Sequence, residues 1–251
     1  MSFWDHLDVL RGTLFRSGGA VLALSVIFLF TKEWLFRVIL APSSPDFFLY
    51  RWLGLEFEMD LINIEISAQF FVHLKMAVLA GLVLAFPYVI YEVWRFISPA
   101  LYEREIKAVR GAFLMSSGLF YLGVVVGYCI VLPVCLMFFM NYSVSDAVAN
   151  SITLQSYISM FVSMVLLIGI VFEFPTVIAV LSQLGIVTRG VLRKGRKIAV
   201  VVVFVLAAII TPSDPFSMFV LAIPLYALYE FSILVCKKDV PEPQEEEEAE
   251  A

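Results

Sequence analysis

Residues 157–184 read YISMFVSMVLLIGIVFEFPTVIAVLSQL, 28 consecutive positions with a single charged residue, Glu173. As an α-helix rising about 1.5 Å per residue, this stretch is about 42 Å long, against a bilayer hydrocarbon layer of about 30 Å. It reads as a membrane span. Working outward, residues 112–140 repeat the pattern, and 18–39, 70–91, 198–210 and 216–235 supply four further apolar stretches. Of the 251 residues, 61% are hydrophobic and 16% charged, with a mean hydropathy of +0.94. Soluble domains run at roughly 45–50% apolar and about 25% charged. The expected fold class is an all-α integral membrane protein, with six kinked transmembrane helices in a curved bundle over residues 1–236. Pro87, Pro133, Pro175 and Pro224 lie inside the spans, where prolines mark kinks.

Basic residues orient the bundle. With loops assigned alternately, 13 of the 17 Lys and Arg fall on the side of both termini, three on the other side, and Lys75 within a span. By the positive-inside rule both termini are cytoplasmic and the number of spans is even. Six fits, and four is the alternative if the short fifth and sixth segments fold back. Residues 198–210 rise only about 20 Å, so the turn Thr211–Pro215 lies either in a re-entrant hairpin or in a locally thinned bilayer with Asp214 in a wet dent.

Other segments add detail. Phe3, Leu7, Leu10 and Leu14 recur at helical spacing, so the opening residues 2–15 read as an amphipathic helix. The first apolar run reads as a retained span. The first outer loop, about 40–69, is acidic, and Leu61, Ile62, Ile64 and Ile66 suggest a short amphipathic element on the outer face. Seven of the 22 acids fall within residues 239–251, so 237–251 reads as a disordered acidic cytoplasmic tail. The tail alone produces the net charge of −5, and the remainder has no basic stripe for nucleic acid. Cys129, Cys135 and Cys236 suit packing better than a disulfide or a metal site, and no cofactor is expected. His6 and His73 fall on opposite sides of the membrane and no HExxH occurs, so no enzyme chemistry is expected.

Ionisable groups within spans are costly and usually functional. Glu173 either lines a polar cavity or partner-helix site, or else stabilises the kink or pairs with Lys75. Lys75 itself can snorkel to the outer surface. Glu230 is placed to reach Lys237 or Lys238 through water. Glu92 lies at interface depth beside Trp94. The loop that follows, residues 94–107 (WRFISPALYEREIK), sets acids among aromatics. That pattern suits a cationic peptide with an apolar flank, or equally an aromatic belt with a solvated charged helix.

Taken in order, several short motifs resemble the TatC family, the multispan core subunit of the twin-arginine protein translocase. They are His6-Leu7-Asp8-Val9-Leu10-Arg11, Leu40-Ala41-Pro42, Ala85-Phe86-Pro87-Tyr88, Val93 through Tyr102 with Glu105, Phe172-Glu173-Phe174-Pro175, Thr211-Pro212-Ser213-Asp214, and Leu221 through Tyr226. The resemblance implies a signal-peptide receptor and scaffold in the cytoplasmic membrane. Such a subunit binds the twin-arginine signal peptide of a folded cargo protein, assembles with single-span TatA- and TatB-type subunits, and uses the proton-motive force. It leaves room for self-association.

The family's peptide site maps to Arg11, Phe96 and Glu105. A guanidinium pairs best with a fixed carboxylate, through two parallel charge-assisted hydrogen bonds. Glu173 corresponds to the family's intramembrane acid, thought to meet a partner helix, and Asp214 to the acid of the last outer turn. Pro42 and Pro99 are structural loop positions. Two departures stand out: Val9 replaces the usual Glu, and Glu92 stands where Gln is common. Glu92, Glu103 or Asp8 is expected to supply the missing negative charge. The alternative function, a proton-coupled small-solute secondary transporter using Glu173, predicts paired broken helices in internal repeats. No matching motif relates the first three spans to the last three.

Overall fold

The computed structural model describes residues 3–54, 57, 59–98, 103–143, 145, 151–211 and 214–236, without the side chains of 3–6 and 103–109. Helix α1, Phe3–Phe30, is continuous. The expected amphipathic opening and first span are one rod: no proline interrupts them, and the helix runs straight through Ser17, Gly18 and Gly19. It stops at Thr31, before α2 (Lys32–Leu40). The expected span 18–39 is therefore cut at residue 30, and Lys32, Glu33 and Arg37 fall in a separate short helix.

A 3₁₀ turn, Ala41–Ser43, carries Pro42 and leads to α3, Phe48–Leu53. The last carbonyls of a helix have no partner within it. At this elbow three tyrosines donate to such carbonyls, and Val38 O also accepts from the Ala41 N–H. Tyr128 donates to Val38 O at 2.7 Å, Tyr157 to Ile39 O at 2.6 Å, and Tyr50 to Pro42 O at 2.8 Å. Burial pushes the Tyr50 phenol up, so it stays a donor. Pro42 thus sits in a clamped corner.

Strand β1, Leu61–Ile62, pairs in parallel with β2, Ile152–Thr153, with Leu61 opposite Ile152. This corrects the expected amphipathic element: only Leu61 and Ile62 are ordered by pairing, while Ile64 and Ile66 are exposed. The pairing places two loops that follow alternate spans at one end of the bundle.

Helix α4, Ala68–Ile97, passes through Pro87 without a break. Helix α5, Glu103–Val126, runs through a π-turn at Gly127–Val131 into α6, Leu132–Asn141. Pro133 has no N–H to give and its ring crowds the preceding turn, and the wider π-turn absorbs both. Helices α7 (Leu154–Val171) and α8 (Phe174–Gln183) are separated at Phe172 and Glu173, ahead of Pro175. Then follow α9 (Arg189–Lys194), α10 (Arg196–Ile210) and α11 (Pro215–Val235), the last continuous through Pro224. Of the four expected kinks, two thus appear as interruptions of the helical pattern.

Among the described residues, five helical stretches are long and apolar enough to cross a membrane: Leu7–Phe30, Ala68–Ile97, Arg110–Asn141, Leu154–Gln183 and Pro215–Val235. Helix α10, with 15 residues, falls short of that length. Large apolar side chains such as Leu22, Leu122, Val205 and Ile223 point outward around the bundle. An aqueous surface would not carry such a girdle; lipid explains it.

With lipid outside and apolar side chains inside, helices are held by close packing rather than by water exclusion. Glycines permit it. A Cβ at Gly127 would lie 2.8 Å from the Met164 carbonyl oxygen, and one at Gly81 would lie 2.8 Å from the Ser25 nitrogen. Helix α1 thereby lies flush along α4, and the π-turn presses into α7. Pro99 and residues 237–251 lie outside the described residues.

Candidate functional site

The C-terminal end of α4 has two working faces. Tyr88, Glu92 and Arg95, three or four residues apart, line one face. Ile90, Tyr91 and Trp94 line another. The first packs against α1. Glu92 is only 2% exposed, and its Oε2 accepts from Arg16 Nε at 2.7 Å. Its Oε1 accepts from Tyr88 OH at 3.2 Å and has the Arg95 Nη1 at 3.9 Å. Arg16 also reaches Thr13 Oγ1 through Nη2 at 3.4 Å. A buried carboxylate is tolerable only with such donors; here α1 delivers the closest one.

The second face opens toward α5. Pro87, Tyr91, Trp94, Arg110, Phe113 and Leu114 line a groove of about 430 Å³. The Trp94 and Phe113 rings lie 5.2 Å apart. Phe96 is half-buried one turn from Glu92. Glu103 and Glu105 occupy the first turn of α5, and their side chains lie outside the description. Asp8 and Arg11 are exposed on α1; the Arg11 guanidinium lies 5.6 Å from the centre of the Phe15 ring. Asp8 makes no ion pair among the described residues. Of the expected peptide-site positions, the fold therefore gathers Glu92 and Phe96 on one helix end beside the start of α5. It commits Glu92 to Arg16 rather than leaving it open. Arg16 and Tyr88 were missed in the sequence. The i,i+4 spacing of Tyr88 and Glu92 was a signal, but Arg16 stands 76 residues from Glu92 and nothing local links them.

Glu173 sits where α7 gives way to α8. Its Oε2 accepts a hydrogen bond from Ser116 Oγ of α5. Its Oε1 and the nearby Thr176 Oγ1 are buried without a hydrogen-bond partner among the described residues. Lys75 is exposed on α4 and forms no ion pair with it among those residues, so the Lys75 pairing is not what holds Glu173. Glu230 pairs with Arg196 Nη2 at 2.8 Å and accepts from Tyr226 OH at 3.1 Å. Its expected partners, Lys237 and Lys238, lie outside the described residues. Arg196, at the start of α10, is brought alongside when α10 packs on α11.

Asp214 has a local task. It is the N-cap of α11: its Oδ2 accepts from the Ser217 backbone N–H at 2.6 Å. Its Oδ1 and the Ser217 hydroxyl are buried and unpartnered among the described residues. A carboxylate at a helix N-terminus gains from both the free N–H groups and the dipole. Nearby, α6, α7 and the end of α10 leave a cavity of about 680 Å³ lined by Ser156, Ser159, Ser163, Ile209 and Thr211. Among the described residues no group of three or more His, Cys, Asp or Glu side chains could hold a metal ion.

Comparison with known proteins agrees with this architecture. The family model described as "Sec-independent protein translocase protein (TatC)" matches residues 5–224. A Sec-independent protein translocase protein TatC from Blattabacterium sp. subsp. Periplaneta americana is 36% identical, over 94% of this chain and 94% of its own length. Those of Deinococcus radiodurans and Aquifex aeolicus are each 34% identical, covering 96% and 94% of this chain and 89% and 95% of their own lengths. Among solved structures, the crystal structure of a twin-arginine translocase receptor, TatC, has a TM-score of 0.75 at 35% identity, over 92% of this chain and 97% of that one. A second, in the detergent DDM, has a TM-score of 0.78 at 34% identity, over 92% and 99%. Nothing in these likenesses supports a small-solute transporter.

Proposed function

This chain belongs to the TatC family and is a subunit of a Sec-independent, twin-arginine protein translocase; from that premise we propose that it is the receptor for the signal peptide of folded cargo. Its receiving face is the end of the bundle where the first turns of α1, the end of α4 and the start of α5 converge. The observation that carries this reading is the concentration there of acids and aromatics: positions 92, 103 and 105 with Trp94 and Phe96, at the end of an otherwise apolar bundle. Glu105 is the recognition carboxylate for the arginine pair. Phe96 receives the apolar flank, Arg11 and Asp8 border the site on α1, and Glu103 adds negative charge. Pro99 shapes the connection between the two helices.

In the same reading the chain crosses the cytoplasmic membrane six times, with α10 as a short fifth crossing and both termini inside. Single-span subunits of the TatA and TatB type dock along the bundle near Glu173, and transport draws on the proton-motive force. The chain serves as a receptor and scaffold and performs no catalysis of its own.

The test is capture of a fluorescent peptide bearing an Arg-Arg pair by the full chain in nanodiscs, against its Lys-Lys counterpart. The receptor reading expects a clear preference for arginine, with Glu105→Gln abolishing it while leaving the protein inserted and folded. Truncating one partner of a desolvated charge pair costs about 2–5 kcal/mol. Equal capture of both peptides by the unaltered protein refutes the reading.

A further inference from the structure

Glu92 is more deeply buried than the group that covers it. Its side chain is 2% exposed and that of Arg16, lying over it, is 42% exposed. The carboxylate faces α1, and Arg16 stands between it and the water at this end of the bundle. The pair is also incompletely made. Arg16 uses Nε alone on Oε2, and its Nη2 turns back to Thr13 on its own helix at 3.4 Å. Tyr88 contributes a neutral hydroxyl at 3.2 Å, and Arg95 stays at 3.9 Å with its side chain 62% exposed. A guanidinium bonds a carboxylate best as a two-pronged fork, with parallel N–H groups on both oxygens. Glu92 has two cations beside it and a fork from neither.

We propose that Arg16 is an internal placeholder: it occupies the Glu92 carboxylate in the empty receptor and yields it to one guanidinium of the incoming arginine pair. This deepens the receptor reading above and rests on it. Exchange of one guanidinium for another keeps the buried carboxylate neutralised at every stage, so no step exposes an unpaired charge within the bundle. The incoming group wins by geometry, since a free peptide side chain can present the fork that Arg16, anchored on α1, does not. A lysine can present one ammonium but no fork, so the exchange itself favours arginine. Displaced Arg16 then swings toward solvent on a helix surface where it is already half-exposed.

The exchange makes Arg16 a competitor for the site. Apparent affinity falls in proportion to the fraction of receptors whose site is free, so removing a competitor that holds it about nine-tenths of the time tightens binding about tenfold. The experiment compares the unaltered chain, Arg16→Met and Glu92→Gln in nanodiscs. It measures the affinity of the Arg-Arg and Lys-Lys peptides together with the melting temperature of each protein. Methionine keeps the apolar stem of Arg16 and removes only the cation.

The expected result is about tenfold tighter Arg-Arg binding by Arg16→Met, despite a lower melting temperature, and weaker Arg-Arg binding by Glu92→Gln. A purely structural pair lowers the melting temperature but gives no gain in affinity. Unchanged or weaker Arg-Arg binding by folded Arg16→Met therefore overturns the proposal. If Arg16→Met does not fold, Glu92→Gln decides, and its unchanged Arg-Arg affinity overturns the proposal equally. Failure of the receptor reading is distinct, because then the unaltered chain already ignores the difference between the two peptides.

Discussion

The elbow at Pro42 offers the sharpest test of how the bundle is held together. Tyr157 is 1% exposed, and its hydroxyl donates to Ile39 O at 2.6 Å across 118 residues of sequence. That carbonyl is one of the last of α2, where a helix runs short of its own donors. Tyr157→Phe removes one oxygen and leaves the ring, so almost no cavity forms and the loss is confined to the bond. An unsatisfied buried acceptor costs about 1–3 kcal/mol. For a chain of this size, each kcal/mol lowers the melting temperature by about 2–4 °C, so about 4–8 °C is expected at the middle of that range. The assay is thermal unfolding of the detergent-solubilised protein, followed by tryptophan fluorescence. Tyr91→Phe is the control, since Tyr91 is 56% exposed; its melting should match that of the unaltered chain. If Tyr157→Phe also melts unchanged, the carbonyl finds another donor at no cost, and the view of three tyrosines fastening this corner is wrong.

Three further outcomes follow from the geometry. Gly127→Leu should destabilise more than Tyr157→Phe, because a Cβ there already meets the Met164 carbonyl oxygen at 2.8 Å and backbone must move; recovery of folded protein after membrane extraction measures it. Asp214→Ala should lower stability by about 1 kcal/mol through the lost cap while Asp214→Asn stays within a few tenths, so export failing in a stably folded Asp214→Asn would show that the charge itself is needed. A cysteine placed at the exposed Ile66 should react with an impermeant maleimide from outside the cell and one at the exposed Ile186 only from inside, and the reverse pattern would invert the proposed orientation.

Much of the fold was legible because the bilayer imposes a simple rule on the chain. Residues 112–140 and 157–184 are too long and too apolar to be anything but spans, and helices cover nearly all of both. The interruptions at Pro133 and Pro175 were legible as well, but Pro87 and Pro224 look identical in sequence and leave α4 and α11 continuous. Whether a missing N–H breaks a helix depends on how neighbouring helices satisfy the freed carbonyl, and that is a tertiary fact. The fusion of residues 3–15 with the first span was hidden for another reason. The apolar pattern changes there from a stripe to all-round coverage and Ser17-Gly18-Gly19 marks the change, which suggests two elements, while packing along α4 keeps the backbone helical throughout. The site shows the same division. Glu92, Glu173 and Asp214 stand out as acids in or beside apolar segments, but Ser116 lies 57 residues from Glu173 and Arg16 lies 76 from Glu92. Periodicity reports which face a residue occupies, not which helix that face meets.

The four carboxylates set in or beside the apolar helices are satisfied unequally, and the inequality carries functional meaning. Glu92 and Glu230 each lie five residues before the end of their helix and each holds an arginine from another helix, Arg16 and Arg196. Near an end, water and cations are within reach, and an ion pair can form. Asp214 is answered by the N-terminus of its own helix. Glu173 has neither resource. It lies at the α7–α8 junction, between two apolar helices, and among the described residues no cation lies beside it: a neutral serine bonds Oε2, and Oε1 is left unpartnered. Completing that shell with one more donor recovers the cost of a buried, unsatisfied oxygen, a gain that Glu92 and Glu230 do not offer; Asp214 also has an unpartnered Oδ1, but its charge already meets the N-terminus of α11. In the proposed assembly, a neighbouring single-span helix that brings a hydroxyl, an amide or a cationic side chain to this depth gains a hydrogen bond by docking beside Glu173. The proposed partner site at Glu173 rests on that difference: Asp214 is met by a backbone N–H and the helix dipole, and Glu173 by a neutral hydroxyl.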